Sequence, residues 1–186
     1  MLRVTGGQFK GLSLTTPRHI RATESKVRQA LFNILGPHLV GARFLDTFAG
    51  SGALGLEALS RGAAFVAFIE QDTDAILCIR DNLARLDAEL PREAWRVVHL
   101  DVERGLRQLA SAEPPFDLIV CDPPYHSAEG KKALNTVVEC AMLAPTGIVV
   151  VEHDQRTVLP PGVGPLRHYK RHRYGDTVLS FYQASG

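Results

Sequence analysis

The sequence predicts an α/β fold with a mostly parallel central sheet, helices on both faces and an antiparallel hairpin at its C-terminal end. Short apolar runs alternate with stretches of helical periodicity from Arg43 onward, which is typical of βαβ units. A glycine-rich turn follows the first run, and two extended segments close the chain. With 186 residues and 45% hydrophobic content, the chain can bury the core of one such domain.

Five apolar runs are predicted to form the parallel strands. They span residues 43–48, 64–69, 95–100, 116–121 and 147–152. Behind the capping candidate Asp72, apolar residues recur at helical spacing up to Leu86 and predict a crossover helix, and residues 131–143 predict another. The two closing segments, residues 167–173 and 177–183, are separated by a short turn and predict the hairpin.

A small β-hairpin arm is predicted to precede the sheet. Residues 1–17 are rich in glycine, threonine and basic side chains around the turn-like sequence Thr5-Gly6-Gly7-Gln8. Thr23 then opens a predicted helix with a continuous apolar stripe. We therefore divide the chain into a basic N-terminal arm, residues 1–20, and a main domain, residues 21–186.

The formal net charge of +1 hides an uneven distribution along the chain. Residues 1–28 contain six Lys or Arg residues against one acidic residue, and residues 167–173 contain four against none. The middle, residues 29–166, holds 18 acidic residues against 11 basic ones. This split predicts a polyanion-binding surface beside a domain that handles another ligand, although ordinary solvated surface charge would give the same pattern.

Composition argues against several classes of protein. No apolar run is long enough to span a bilayer and no secretory signal opens the chain, so we expect a cytoplasmic location. Cys78, Cys121 and Cys140 are widely spaced and form no C-x-x-C pair. We expect free thiols and no metal site.

The motif Asp122-Pro123-Pro124-Tyr125 directly follows the predicted fourth strand. Each residue before a proline is held extended, so the Asp122 carboxylate and the Pro123 carbonyl could accept from one amino group. Tyr125 offers a ring for stacking. The motif therefore predicts a site for a flat molecule bearing an amino group, and the alternative is a simple strand-ending turn.

A glycine-rich loop follows the predicted first strand. Gly50, Gly52 and Gly55 satisfy G-x-G-x-x-G, which alone is weak evidence because dinucleotide enzymes share it. Asp46 precedes them at a buried strand end, where an ionised carboxylate is costly unless it faces a cation. The ammonium and sulfonium groups of S-adenosylmethionine would supply that charge. The predicted cofactor-binding residues in and before this loop are Asp46, Phe48, Ala49, Gly50, Ser51 and Gly52.

Acidic residues end the first four predicted strands: Asp46, Glu70, Asp101 and Asp122. At the carboxyl edge of a parallel sheet they should line one crevice. Glu70 could accept from ribose hydroxyls, Asp101 from the amine of adenine, and the Val102 amide could serve a ring nitrogen. Each acid could instead cap a helix, so the prediction rests on the four together.

The chain resembles the RsmD family of 16S ribosomal RNA guanine-N2 methyltransferases, within the class I S-adenosylmethionine-dependent methyltransferases. The resemblance covers nearly the whole chain and rests on residues 3–11, RATESKVRQALFN at 21–33, DTFAGSGALGLEALSRG at 46–62, DPPY at 122–125, RYGDT at 173–177 and LSFY at 179–182. It implies a Rossmann-like class I methyltransferase fold. The chain departs from the family pattern at Ala22 and at Ser25-Lys26.

The resemblance also implies an activity: methyl transfer from S-adenosylmethionine to the exocyclic N2 of one guanine, guanine 966 in the usual rRNA numbering. The implied partner of this monomeric enzyme is 16S rRNA in the 30S subunit or an assembly intermediate. Asp122 and Pro123 would hold the amine and Tyr125 would stack on the base, with either Asp122 or water taking the proton. The basic residues expected to grip RNA, most strongly from the arm, are Arg3, Lys10, Arg18, Arg21, Lys26 and Arg28.

Three other activities fit parts of the pattern. A DNA or RNA adenine-N6 methyltransferase would use Asp-Pro-Pro-Tyr in the same way, because that motif serves any exocyclic amine on a planar ring. A nicotinamide-dependent oxidoreductase would explain the glycine loop. An RNA-binding assembly factor without catalysis would explain the basic ends.

Overall fold

The computed structural model describes residues 2–17, 25–86, 89–124 and 128–185. Five α-helices lie within these ranges: α1 Ser25–Leu35, α2 Ala53–Ser60, α3 Thr73–Ala84, α4 Val102–Ala112 and α5 Glu129–Glu139. The strands of the same ranges are β1 Arg43–Asp46, β2 Phe65–Glu70, β3 Trp95–His99, β4 Phe116–Cys121, β5 Leu143–Asp154, β6 Gly162–Val163, β7 Leu166–Tyr174 and β8 Thr177–Ala184.

The described strands form one eight-stranded sheet in the order β3-β2-β1-β4-β5-β8-β7-β6. Strands β1 to β5 pair in parallel, and β8, β7 and β6 add antiparallel at the β5 edge. The predicted α/β fold and C-terminal hairpin are confirmed. The chain builds the sheet outwards in one direction from β1 to β3 and in the other direction from β4 onward. At this switch point, the carboxyl ends of the parallel neighbours β1 and β4 border the crevice in which such sheets bind ligands.

Two hydrophobic clusters cover the two faces of the sheet. Helices α1, α2 and α3 pack on one face, and α4 and α5 pack on the other. Along β4, Leu118 and Val120 point to the first face whereas Ile119 and Cys121 point to the second, which is the two-residue period of a strand buried on both sides. Among the described helices, none has the length and apolar character needed to cross a membrane.

Some predicted boundaries differ from the structure. The predicted helix 131–143 is α5, which ends at Glu139 because the chain turns through Ala141 at a φ of 50°. Strand β5 then begins at Leu143, four residues before the predicted start. The predicted helix start at Thr23 lies outside the described residues.

The N-terminal arm forms a small hairpin around one antiparallel bridge between Arg3 and Ser13. Its side chains Val4, Phe9 and Leu14 are buried in the cluster shared with α1, α2 and α3. A Cβ on Gly7 would lie 1.8 Å from the Ser60 carbonyl oxygen, so glycine permits the arm to lie directly on the end of α2. The arm therefore shares the core of the main domain, and the division at residue 20 stays a prediction.

A buried carboxylate on α2, Glu57, joins the arm to two helices. Its oxygens accept from the Thr5 amide and hydroxyl, both at 2.7 Å, and from Arg61 Nε at 2.7 Å. Arg28 Nε of α1 lies 3.7 Å from Glu57 Oε2, with both side chains fully buried. Arg28 also donates to the Arg3 carbonyl at 2.6 Å.

This arrangement contradicts the prediction that Arg28 contacts RNA. Its side chain has no exposed surface to offer a phosphate, and its charge is balanced inside the protein by Glu57. A buried arginine needs such a counter-charge, because burying its charge without one destabilises the folded protein by roughly several kcal/mol. Arg28 is a structural residue.

Candidate active site

A cavity of about 610 Å³ opens at the carboxyl ends of the parallel strands. The loop after β1, the ends of β2 and β4 and the start of α4 all contribute to its lining. This is the edge at which the sequence placed the strand-ending acids. Of the predicted site residues, those that line it are Phe48, Ala49, Gly50, Ser51, Glu70, Asp101, Val102, Asp122 and Pro123.

The loop between β1 and α2 is shaped by its glycines. Gly50 and Gly52 have positive φ values of 52° and 78°, which other residues adopt only with strain. Gly55 serves a different purpose, since a Cβ there would lie 2.1 Å from Phe68 Cε1. Gly50 and Gly52 thus shape the loop, while Gly55 lets α2 pack against β2. Gly52 was predicted to bind the cofactor but is not part of the cavity lining.

Asp46 lies beneath this loop rather than in the cavity. Its side chain is fully buried and its Oδ2 accepts from the Gly55 amide at 3.1 Å. Burial raises the pKa of Asp46 to about 8, the Gly55 hydrogen bond opposes the rise, and the charges of Asp122 and Glu70 add to it. The carboxyl group thus faces the first turn of α2 through Oδ2, and the contact of Asp46 with a ligand cation stays a prediction.

Glu70 both lines the cavity and stabilises the loop. Its Oε2 accepts from the Gly50 amide at 2.7 Å, and its Oε1 accepts from the amides of Gln71 and Asp72, both at 2.8 Å. A carboxylate offers about four acceptor positions, so room for a further donor remains. Contact with a ribose hydroxyl stays a prediction, and any such contact would be coupled to the glycine loop.

Asp101 combines the two roles that the sequence left open. It is the N-cap of α4, where its Oδ1 accepts from the Arg104 amide at 3.0 Å, and Arg104 Nε lies 3.4 Å from its Oδ2. It also lines the cavity beside Val102. Capping fixes the side chain at the cavity edge, so the two roles are compatible.

The predicted amine-binding motif lies on the far side of the cavity from α4. Asp122 follows the last residue of β4, and Asp122, Pro123 and Pro124 all line the cavity. Tyr125 lies outside the described residues. The structure therefore brings the Asp122 carboxylate and the glycine loop to one cavity, as expected from their positions at neighbouring strand ends.

Glu152 was missed as a site residue. It lies near the end of β5, is 4% exposed, and lines the same cavity as Asp122. The signal was present in the sequence, because Glu152 ends the fifth apolar run just as four other acids end theirs. A second cavity of about 150 Å³ lies beside the first and shares Pro123, Pro124 and Glu152 with it.

The N-terminal arm reaches this site, which sequence reasoning did not predict. Thr16 and Pro17 line the larger cavity. Asn82 of α3 accepts from the Thr15 amide at 2.8 Å and donates to the Thr15 carbonyl at 2.9 Å and to the Ser51 carbonyl at 3.1 Å. One buried amide therefore holds both the end of the arm and the glycine loop.

Comparison with known proteins identifies the family. The family described as Conserved hypothetical protein 95 matches residues 2–183. The Escherichia coli protein named Ribosomal RNA small subunit methyltransferase D is 37% identical over 184 residues, covering 98% of this chain and 89% of that protein. The chain belongs to the RsmD family. Bacillus subtilis YlbH, named a putative rRNA methyltransferase, is 40% identical over the whole length of both chains.

The fold of this RsmD family member is that of a class I S-adenosylmethionine-dependent methyltransferase. The solved structure of the putative methyltransferase yhhF from Escherichia coli superposes with a TM-score of 0.84 and 34% identity, covering 98% of this chain and 97% of that one. The match includes the N-terminal arm and the C-terminal hairpin. The fold class expected from the sequence is confirmed.

The predicted RNA-binding residues of this RsmD family member fall into three groups. Arg3, Lys10 and Lys26 are exposed, Arg18 and Arg21 lie outside the described residues, and Arg28 is buried. A second basic group is exposed on β7, with Lys170, Arg171 and Arg173 on the outer part of the sheet. Exposed basic side chains therefore lie both in the N-terminal part of the chain and on β7.

Proposed function

We propose that this RsmD family member transfers a methyl group from S-adenosylmethionine to the exocyclic N2 of one guanine of 16S rRNA, of the guanine 966 type. The observation that carries the proposal is the convergence of Asp122 and Pro123 with the glycine loop on one cavity. An amine acceptor site and a nucleoside site in a single cavity suit direct transfer between two bound molecules.

The cavity suits a nucleoside with an amino-acid tail. Glu70 and Asp101 provide acceptors for hydroxyl and amine donors, Phe48 and Leu100 provide apolar surface, and Gly50 lines the cavity without a side chain. When bound, S-adenosylmethionine would supply a methyl group already activated by a positively charged sulfur. Carboxylates around the cavity favour a cationic ligand.

Asp122 and Pro123 would prepare the nucleophile. The lone pair of a guanine N2 is delocalised into the ring, so the nitrogen reacts poorly until it becomes pyramidal. Hydrogen bonds from the amine to the Asp122 carboxylate and the Pro123 carbonyl favour that geometry and stabilise the positive charge that develops on nitrogen. Asp122 or water then accepts the proton, and Tyr125 is the proposed stacking partner of the unstacked base.

Ribosomal RNA is supported as the substrate class by the relatives and by the exposed basic surfaces. The two relatives described above are named as rRNA methyltransferases, and they match this chain over its whole length or nearly so. Lys10 and Lys26 are exposed on the same N-terminal part of the chain that reaches the cavity. The 30S context, the monomeric state and the cytoplasmic location stay predictions.

A transfer assay with isotopically labelled S-adenosylmethionine tests the substrate. The purified protein is offered free 16S RNA, assembled 30S particles and double-stranded DNA, all lacking the modification, and the products are digested to nucleosides and identified by mass spectrometry. We expect N2-methylguanosine at one RNA position. N6-methyladenine in DNA or RNA would support the adenine methyltransferase instead, and absence of label in every acceptor would reject the proposed function.

Substitution of Asp122 tests the mechanism. Asp122→Ala should reduce kcat by roughly 100-fold or more, because one acceptor that stabilises the developing charge is lost. Asp74→Asn is the control, since Asp74 is an exposed acid of α3 outside the lining of both cavities. An Asp122→Ala variant that keeps most of the wild-type rate would remove this carboxylate from the mechanism.

A further inference from the structure

We infer that the face of β7 around Tyr169 binds an unpaired base of the substrate RNA by stacking. The inference rests on the RNA substrate of the proposed function and adds a contact outside the lining of both cavities. Three features of β7 support it: a row of aromatic rings, a β-bulge that places a cation beside Tyr169, and the course of the strand towards the larger cavity.

Four aromatic rings form a continuous row on β7 and β8. Phe181 is fully buried, and the rings of Tyr169 and His172 pack against it at centroid distances of 6.4 and 5.8 Å and steep angles of 66° and 82°. The Tyr174 ring lies 6.5 Å from the His172 ring at an angle of 22°. Tyr169 is nevertheless 49% exposed. The buried Phe181 therefore supports the Tyr169 ring, while about half of the tyrosine side chain stays open to a ligand.

A β-bulge turns a cation to the same face as the Tyr169 ring. Strand β7 pairs His168 with Tyr182 and Lys170 with Phe181. Tyr169 is therefore the additional residue of the bulge. Since paired residues of antiparallel strands point to one face, Lys170 shares the face of Phe181 with the Tyr169 ring. In a regular strand, these two consecutive side chains would point to opposite faces. The bulge thus places an aromatic ring beside an ammonium group, which suits a base and its phosphate.

The aromatic row leads towards the larger cavity on the sheet face that carries the N-terminal arm. Leu179 and Phe181 belong to the hydrophobic cluster that contains side chains of the arm and of α1, α2 and α3. Leu179 pairs with His172 on one side and with Glu152 on the other. Because two strand spacings amount to about 10 Å, His172 lies roughly that far from Glu152, which lines the cavity. Stacked nucleotides advance about 3.4 Å each, so β7 is within a few nucleotides of a guanine in the cavity.

The charge of β7 suits RNA better than a protein surface. The strand contains no acidic residue, and its exposed side chains are Arg167, Tyr169, Lys170, Arg171 and Arg173. It offers no exposed aliphatic side chain for the apolar centre of a protein interface. Cations for phosphates and a ring for a base are the two parts of a single-stranded nucleic-acid site. The base must be unpaired because a duplex hides its faces, and the target guanine must itself be unstacked.

The test measures the affinity of Tyr169 variants for free, unmodified 16S RNA by filter binding. Tyr169→Ala should weaken binding by about tenfold, because one base loses its stacking partner. The salt dependence should stay that of wild type, since no charge is removed. Tyr169→Phe keeps the ring and should bind like wild type. Val40→Ala is the control, because it truncates an exposed apolar side chain that precedes β1, at the sheet edge opposite the cavity, and should leave the affinity unchanged.

A paired RNA and two measurements on the protein make the result decisive. Double-stranded RNA should bind Tyr169→Ala and wild type equally, and the thermal midpoint and S-adenosylmethionine affinity of the variant should stay near wild type. If Tyr169→Ala does not fold, Tyr169→Leu, which keeps an apolar contact with Phe181 but no ring, should show the same loss.

The inference and the proposed function fail in different ways. Wild-type affinity of the folded Ala or Leu variant for 16S RNA overturns the inference alone, and so does an equal loss of affinity in Tyr169→Phe or towards double-stranded RNA. Wild-type protein that methylates no RNA overturns the proposed function, and the difference in RNA binding between wild type and Tyr169→Ala would still be observed.

Discussion

At the residue scale, Asp46 shows how burial changes what a carboxyl group does. Its pKa is raised from 3.8 to about 8 because the side chain is fully buried, so it carries a proton in the folded protein around pH 7. The unfolded chain exposes the group to water and releases that proton at much lower pH. Folding therefore takes up a proton in the intervening range.

This proton uptake predicts a pH-dependent loss of stability. Below pH 4 the Asp46 carboxyl group is protonated in both the folded and the unfolded state, so it does not lower the free energy of unfolding. Stability falls as the pH rises from about 4 to about 8, and no further loss occurs above the folded pKa. Asp46→Asn keeps an oxygen for the Gly55 amide but cannot ionise. Urea unfolding should show that the free energy of unfolding decreases less between pH 5 and pH 8 for Asp46→Asn than for wild type.

The control for this prediction is Asp74→Asn, because Asp74 is exposed on α3. It should reproduce the wild-type decrease between the two pH values. If Asp46→Asn also lost as much stability as wild type between pH 5 and pH 8, the Asp46 carboxyl group would already be ionised in the folded protein.

At the scale of elements, Glu57 is the residue through which the arm, α1 and α2 depend on one another. Glu57→Ala would leave the Arg28 guanidinium buried without its counter-charge and remove the acceptor of Thr5. Loss of one partner of a buried ion pair costs about 3 to 5 kcal/mol, so the free energy of unfolding should fall by about that amount. Chemical denaturation monitored by circular dichroism measures it.

An exposed ion pair provides the comparison for Glu57. Glu139 pairs with Arg107 at 3.1 Å with both side chains more than half exposed, and Glu139→Ala should cost no more than about 1 kcal/mol. Replacing Arg28 by Met in the Glu57→Ala background should recover part of the loss, since the uncompensated charge is then gone. Equal losses of unfolding free energy for Glu57→Ala and Glu139→Ala would show that the buried ion pair contributes no more to stability than the exposed one.

The sequence allowed the elements to be predicted better than the environment of individual charges. Strand β4, the glycine loop and the position of Asp122 follow from local apolar runs, turn residues and the geometry of parallel strands. The burial of Arg28 does not, because its counter-charge Glu57 lies 29 residues away and nothing local distinguishes it from the exposed Lys26. The surroundings of Asp46 depend on packing in the same way, since its hydrogen-bond partner Gly55 belongs to α2.

At the scale of the whole molecule, the arm cannot be treated as a removable RNA-binding appendage. Val4, Phe9 and Leu14 belong to the core, and Thr16 lines the cavity. Deleting residues 1–16 would therefore disturb the core and the glycine loop held by Asn82. A change in RNA affinity after such a deletion would not distinguish lost phosphate contacts from lost folding, so the arm must be tested by changing its charges.

Charge-removing substitutions can show which basic surface holds RNA. One variant replaces Arg3, Lys10 and Lys26 by Gln, and a matched variant replaces Lys170, Arg171 and Arg173 on β7; all six side chains are exposed. Each lost phosphate contact should reduce the slope of log K against log salt by about 0.7 to 0.9. Because the arm extends to the cavity, we expect the first variant to flatten the slope by about 2, with the second changing it less.

Filter binding between low and moderate salt measures both slopes, while unchanged S-adenosylmethionine affinity confirms that each variant is folded. A larger change in the β7 variant would place the RNA on the C-terminal hairpin instead.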